Sequence, residues 1–197
     1  MEQINIEVLD TTLRDGAQGV GITFSLQDKL DLVRALDELG LAWIEAGNPG
    51  SNPKDMEFFR QAAALKLKHA KLCAFGATRK KGSKAAEDAG LKSLLEAETQ
   101  TVVIFGKSWD LHVSEVLRVS EEENLAMIAE TISFLKERGR QVFFDAEHFF
   151  DGMKANRDYA ISTLKTAMEA GAERIVLCDT NGGSFPDFIS EAVNEVV

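Results

Sequence analysis

Apolar and polar positions along this chain repeat with two periods. Short apolar runs recur at roughly 4–9, 41–46, 70–75, 101–105, 141–146 and 174–178. Between them, apolar residues return every three or four positions. The first habit is that of strands, the second that of amphipathic helices. Ile4, Ile6 and Val8 alternate and predict a first strand. Val102-Val103-Ile104-Phe105 is unbroken, as suits a strand buried on both faces. Leu26, Leu30, Val33 and Leu36 predict a first helix, capped by Ser25 with Asp28 three residues on and stopped at Gly40. Asn52-Pro53 opens the next, with Phe58, Phe59, Ala62 and Leu65 inward. A shorter helix is expected over about 84–97 with Leu91, Leu94 and Leu95, and an irregular or briefly helical stretch over 107–119. Ser120-x-x-Glu123 reads as a capping box for a helix carrying Leu125, Ile128, Ile132 and Leu135, ended by Gly139. A helix from about Ala155 to Ala170 stops at Gly171, and a last one turns Phe188, Ile189, Ala192 and Val193 inward. Strands alternating with helices predict parallel βαβ units, an α/β fold. No linker or low-complexity segment interrupts them, so residues 1–197 read as one domain.

The polar residues fall in a pattern of their own. Directly after the strands stand Arg14, Asp15 and Gln18; Glu45 and Asn48; Thr78 and Arg79; Lys107; Glu147 and His148; and Asp179, Thr180 and Asn181. In parallel βα chains the carboxyl ends of the strands are where ligands bind, so these residues fit one shared mouth. The densest group is Asp10-Thr11-Thr12-Leu13-Arg14-Asp15-Gly16-Ala17-Gln18. Arg14 offers a planar fork of donors for a carboxylate or oxyanion. Asp15 offers a hard oxygen ligand for a divalent cation. A solvated turn with an internal Arg–Asp pair reads equally well from these residues alone. His148 reads as a base or ligand, or as a packed loop histidine beside Phe149 and Phe150.

Composition narrows the setting. The chain is 45% hydrophobic over 197 residues, enough for a sizeable core. The formal net charge of −10 disfavours nucleic acid and anionic membranes as partners. No apolar run approaches the roughly 18 residues of a membrane span, and Met1-Glu2-Gln3-Ile4-Asn5 lacks the pattern of a signal peptide. Cys73 and Cys178 stand apart in apolar runs and read as buried thiols of a reducing, cytoplasmic compartment. Arg79, Lys80, Lys81 and Lys84 form the one basic run, which reads as a solvated loop. A Gly-x-Gly-x-x-Gly after the first strand and a Walker A motif are both absent, which removes support for a nucleotide fold.

Asp10-Thr-Thr-Leu-Arg-Asp-Gly-x-Gln18 resembles the signature of the acyl-CoA-dependent aldol/Claisen family of TIM barrels. That family includes isopropylmalate, homocitrate and citramalate synthases and HMG-CoA lyase. Pro49–Asp55, Phe105–Val113, Asp145–Gly152 and Leu177–Gly183 extend the likeness through almost the whole chain and are similar to the citramalate branch. The resemblance implies a (β/α)8 barrel, of which this chain would hold about six βα units, with strands seven and eight missing. It implies a condensation of acetyl-CoA with a 2-keto acid, pyruvate first and an isopropylmalate- or homocitrate-type substrate as the alternative. A carbon–carbon lyase and a non-catalytic interaction module are the further alternatives. It implies a divalent metal (Mg, Mn or Zn) on Asp15. Arg14 would steady enolate and keto-acid oxygens, Thr180 would hold the substrate carboxylate, and Glu147 would do acid–base work. Gln18, Glu45 and His148 would line the substrate site. The basic run could then meet coenzyme A phosphates. The family's His-x-His metal pair is absent: the chain has three histidines and none in that spacing. Six βα units cannot close an eight-stranded barrel, so the chain alone is expected to be inactive and to associate with further copies.

Overall fold

A computed structural model describes residues 6–197. Ile4, the first residue of the expected opening strand, lies outside them. The elements in chain order are β1 (Leu9–Asp10), α1 (Leu26–Glu38), β2 (Trp43–Gly47), α2 (Pro53–Ala62), β3 (Lys71–Ala77), α3 (Ala89–Glu96), β4 (Thr101–Lys107), α4 (Asp110–His112), α5 (Glu121–Glu137), β5 (Gln141–Glu147), α6 (Phe149–Ala155), α7 (Arg157–Glu169), β6 (Arg174–Leu177) and α8 (Pro186–Val196). The strands lie in the sheet in sequence order, β1 to β6. The pairs β1–β2, β2–β3 and β5–β6 are parallel. Sequential parallel strands joined by helices are the topology of six βα units of a TIM barrel.

The chain packs as two compact units. The first comprises residues up to Gly76 together with Lys92–Val103. Here Ser25 Oγ accepts from the Asp28 N–H and the Asp28 carboxylate accepts from the Ser25 N–H, the reciprocal box the sequence predicts. Asn52 caps α2 in the same way through the Asp55 N–H, with Pro53 in the first turn. Leu30, Val33, Phe58, Phe59, Ile44 and Ala46 form the core. Among the described residues, the strand expected over 4–9 is Leu9–Asp10. Ile6 and Val8 are 80% and 50% exposed, because β1 pairs with β2 alone and gains no second apolar wall.

The second unit comprises Ala77–Leu91 and Ile104–Val197. Ile128, Ile132, Leu135, Phe144 and Phe149 are among its largest fully buried side chains. Ser120 Oγ accepts from the Glu123 N–H and starts α5. The helix expected over 155–170 is α7, and a further short helix, α6, precedes it; the two part at Asn156, whose side chain caps α7 through the Tyr159 N–H. Gly152 sits inside α6, where a Cβ would lie 2.1 Å from the Ser108 carbonyl oxygen. Only glycine permits that approach, and it ties α6 to the loop after β4. Cys73 is buried as expected, whereas Cys178 is half-buried, since β6 is covered less than β2 or β5.

Candidate active site

In the first unit, the segment after β1 folds into a tight turn. The Thr11 carbonyl accepts from the N–H groups of Arg14, Asp15 and Gly16. This buries Leu13 completely and lays the Arg14 guanidinium 3.9 Å over the Phe75 ring, a cation–π stack. Arg14 Nε donates to Glu45 Oε1 at 2.5 Å and Nη1 to Asp15 Oδ1 at 2.9 Å. Nη2 has no partner among the described residues. The guanidinium is thus held on two edges and one face, with one pair of donors left for a ligand.

Glu45 lies within β2 and is fully buried. Burial pushes its carboxyl up, and the Arg14 charge opposes that rise. Its Oε2 is buried with no hydrogen-bond partner among the described residues. Two residues on, a register shift lets Gly47 adopt φ 147° beside Asp55, whose Oδ2 would lie 2.8 Å from a Cβ there. Asp55 accepts from Lys29 Nζ at 2.6 Å and from the Asn48 N–H at 3.0 Å. Lys29 and Asp55 are both buried. This ion pair fixes the loop after β2. Beside it opens a cleft of about 320 Å³, lined among others by Arg14, Gln18, Asn48, Lys54 and Phe75. Asp15 and Gln18 are exposed.

In the second unit, Glu147 closes β5 and pairs with Lys107, which closes β4. His148 follows in the left-handed region, at φ 56°. That conformation costs a non-glycine residue about 1 kcal/mol or more and persists only where its surroundings fix it. The His148 N–H donates to Thr180 Oγ1 at 2.9 Å, and Nδ1 lies 3.0 Å from Asp151 Oδ2. Asn181 Nδ2 donates to the same carboxylate oxygen at 3.0 Å. The His148 ring is 8% exposed as a residue and stands edge-on to His112, with ring centroids 4.3 Å apart. Trp109 packs on both imidazoles. Burial, then the charge of His148, push the His112 imidazole down toward its neutral form. Because its Oγ accepts from His148, Thr180 keeps its hydroxyl proton for a ligand.

The structure therefore gathers Arg14, Asp15 and Glu45 in one cluster, and Glu147, His148 and Thr180 in another. Asp151 and Trp109 were missed in the sequence. The spacing His148-x-x-Asp151 on one helical turn was the available signal for the first. The basic run is corrected in part. Arg79 is no solvated residue: it is 5% exposed and held by Glu123 at 3.0 Å and Glu130 at 2.6 Å. Lys80, Lys81 and Lys84 are exposed. Sequence reading also missed Asn124, buried in α5, which donates to the Lys107 carbonyl and to the Tyr159 hydroxyl.

A divalent cation takes four to eight ligands. Among the described residues no three His, Cys, Asp or Glu side chains gather to hold one. Asp15 offers one carboxylate, with an oxygen already on Arg14. The residues present do not by themselves fit a metal centre. No helix among the described residues is long and apolar enough to cross a membrane.

Over 193 residues the chain is 53% identical to the (R)-citramalate synthase of Sulfolobus acidocaldarius, covering 98% of this chain and 37% of that protein. It is 33% identical over 188 residues to a homocitrate synthase of Saccharolobus islandicus, covering 95% of this chain and 39% of that one. The chain thus spans little more than a third of the length of these curated relatives. The solved structure of Bacillus subtilis HMG-CoA lyase superposes with a TM-score of 0.78 at 16% identity, over 97% of this chain and 63% of that one, which establishes the TIM-barrel fold. The HMGL-like family model matches residues 5–197, and with that match the chain belongs to the HMGL-like family.

Proposed function

We propose that this chain carries catalytic-barrel chemistry of an enzyme that condenses acetyl-CoA with pyruvate to (R)-citramalate, an acyl transfer in branched-chain amino-acid synthesis in the cytoplasm. The observation that carries the reading is the Arg14 guanidinium. It is clamped by Glu45, Asp15 and the Phe75 face, with Nη2 unengaged. A fixed cation with open donors suits an oxygen that gains negative charge during reaction, because no reorganisation is needed when the charge develops. Enolate formation from a thioester and alkoxide formation from a keto acid both develop such an oxygen.

The other residues take roles that fit their surroundings. Thr180 donates its hydroxyl to the keto-acid carboxylate. Glu147 serves acid–base work from its pairing with Lys107. Gln18 and Glu45 orient substrate and Arg14. A divalent metal belongs to the proposed enzyme, and Asp15 is the carboxylate it would reach. The described residues do not complete its shell. Acetyl-CoA and the keto acid are the small-molecule partners, and the working form is a homo-oligomer. Pyruvate is preferred over larger keto acids because identity is 53% to a citramalate synthase against 33% to a homocitrate synthase.

The test is release of free CoA thiol with a panel of 2-keto acids. It is run on the chain and on a chimera in which residues 1–197 replace the matching segment of the Sulfolobus acidocaldarius relative. Pyruvate-dependent release by the chimera supports the reading. Release that prefers 2-oxoglutarate or 2-oxoisovalerate moves the assignment to the other synthases, and cleavage without condensation moves it to the lyases.

A further inference from the structure

We infer that His148, rather than Glu147 alone, is the proton acceptor of this enzyme, with Asp151 and Asn181 as its positioning residues. The inference rests on the proposed condensation and names a group that the family resemblance treated only as a substrate-site neighbour.

An ionised carboxylate only accepts hydrogen bonds, so Asp151 Oδ2 at 3.0 Å requires the proton of His148 on Nδ1. That leaves the lone pair on Nε2. Asn181 donates to the same oxygen and holds the carboxylate on its far side. The backbone is fixed independently, by the Thr180 hydroxyl on the His148 N–H and by a left-handed φ that a free loop would not keep. A histidine oriented by a third group through Nδ1, with Nε2 unengaged, is the arrangement that makes imidazole a positioned base. Among the described residues no hydrogen bond occupies Nε2.

The neighbours favour one of the two imidazoles as the proton acceptor. His112 and His148 are too close for both to be charged without cost. The groups acting on His112 are His148, Lys107, Glu147 and Asp151, with burial the largest influence. His112 is held toward its neutral form, so it sets no second imidazolium charge against the proton that His148 Nε2 takes up in the reaction. In the reaction, a C–H bond of the acetyl methyl breaks, its proton goes to Nε2, and its electron pair becomes the thioester enolate. The enolate carbon bonds to the keto carbon, whose oxygen becomes an alkoxide. The imidazolium returns its proton to that alkoxide, and the base is neutral again.

Two measurements test this. Imidazole ¹⁵N spectra of the chain are expected to show His148 with its proton on Nδ1, and D151N to move it to Nε2, because the asparagine amide can donate to Nδ1. In the chimera, H148Q is expected to lower kcat by about 100-fold or more with KM for pyruvate little changed. D151N should lower kcat less and displace the acid limb of the pH profile, which loss of packing alone would not do. A parent spectrum with the proton on Nε2, or H148Q turnover within threefold of the parent, overturns the inference while the condensation stands. A parent chimera that releases no CoA sinks the functional reading and the base role together, and the spectra distinguish that result from a misplaced ring.

Discussion

Arg14 shows how little freedom a key side chain has here. Its neighbours fix the guanidinium plane, and lysine could not reproduce a bidentate, stacked fork. In the chimera, R14K should reduce kcat by about 100-fold, the scale of losing one oxyanion donor, with the unfolding midpoint little changed. A drop smaller than threefold would remove Arg14 from the chemistry. D15N should lower turnover most at limiting divalent metal, because an amide is a poorer ligand for a hard cation; equal activity across a metal titration would refute that role. Asp37 matters to the fold instead. Its carboxylate accepts from the N–H groups of Lys68, His69 and Ala70, and these bonds, Ala70 first, hold its pKa at about 2 against an ordinary 3.8. A depressed carboxyl stabilises the fold above its ordinary range and loses that contribution as pH falls through its folded value. D37N should therefore be less stable than the parent near pH 6, with the gap closing from about pH 4 towards pH 2. A gap constant across urea titrations at those pH values would count against it.

At the scale of elements, two glycine and ion-pair devices set the loops that carry the site. Gly152 lies against the Ser108 carbonyl, so G152A forces α6 and the loop after β4 apart. Overpacking of this kind costs about 1–3 kcal/mol, read as a lowered urea midpoint; an unchanged midpoint would show that α6 and the loop after β4 do not depend on this close contact. K29M strands the Asp55 carboxylate in a buried site, a change worth about 3–5 kcal/mol, and should loosen the loop after β2. Strand and helix identities were legible because apolar periodicity reports burial directly. Caps at Ser25, Asn52 and Ser120 were legible because few residue types satisfy a helix N-terminus. Other features were not. Gly152 stands within α6 although glycine is a poor helix former, because packing against Ser108, not propensity, selects it. Arg79 reads as one charge in a basic run, and only the fold brings Glu123 and Glu130 to it. The candidate site was legible as residue types after strands. The link from His148 to Asp151 and Asn181 was not, since it depends on a left-handed backbone that no pattern of residues announces.

At the scale of the molecule, the strands follow one another in sequence order, the topology that hosts chemistry in the loops after its strands. The net charge of −10 directs the chain away from polyanions, so small anions must be met by local cations such as Arg14. The central claim is formation of one carbon–carbon bond. Its most direct measurement supplies the chimera with acetyl-CoA ¹³C-labelled at the methyl, together with pyruvate, and follows the methyl carbon by NMR. The account predicts that the label becomes the methylene carbon of citramalate as free CoA appears. Label found only in acetate, with pyruvate unconsumed, would show thioester hydrolysis alone and contradict the condensation.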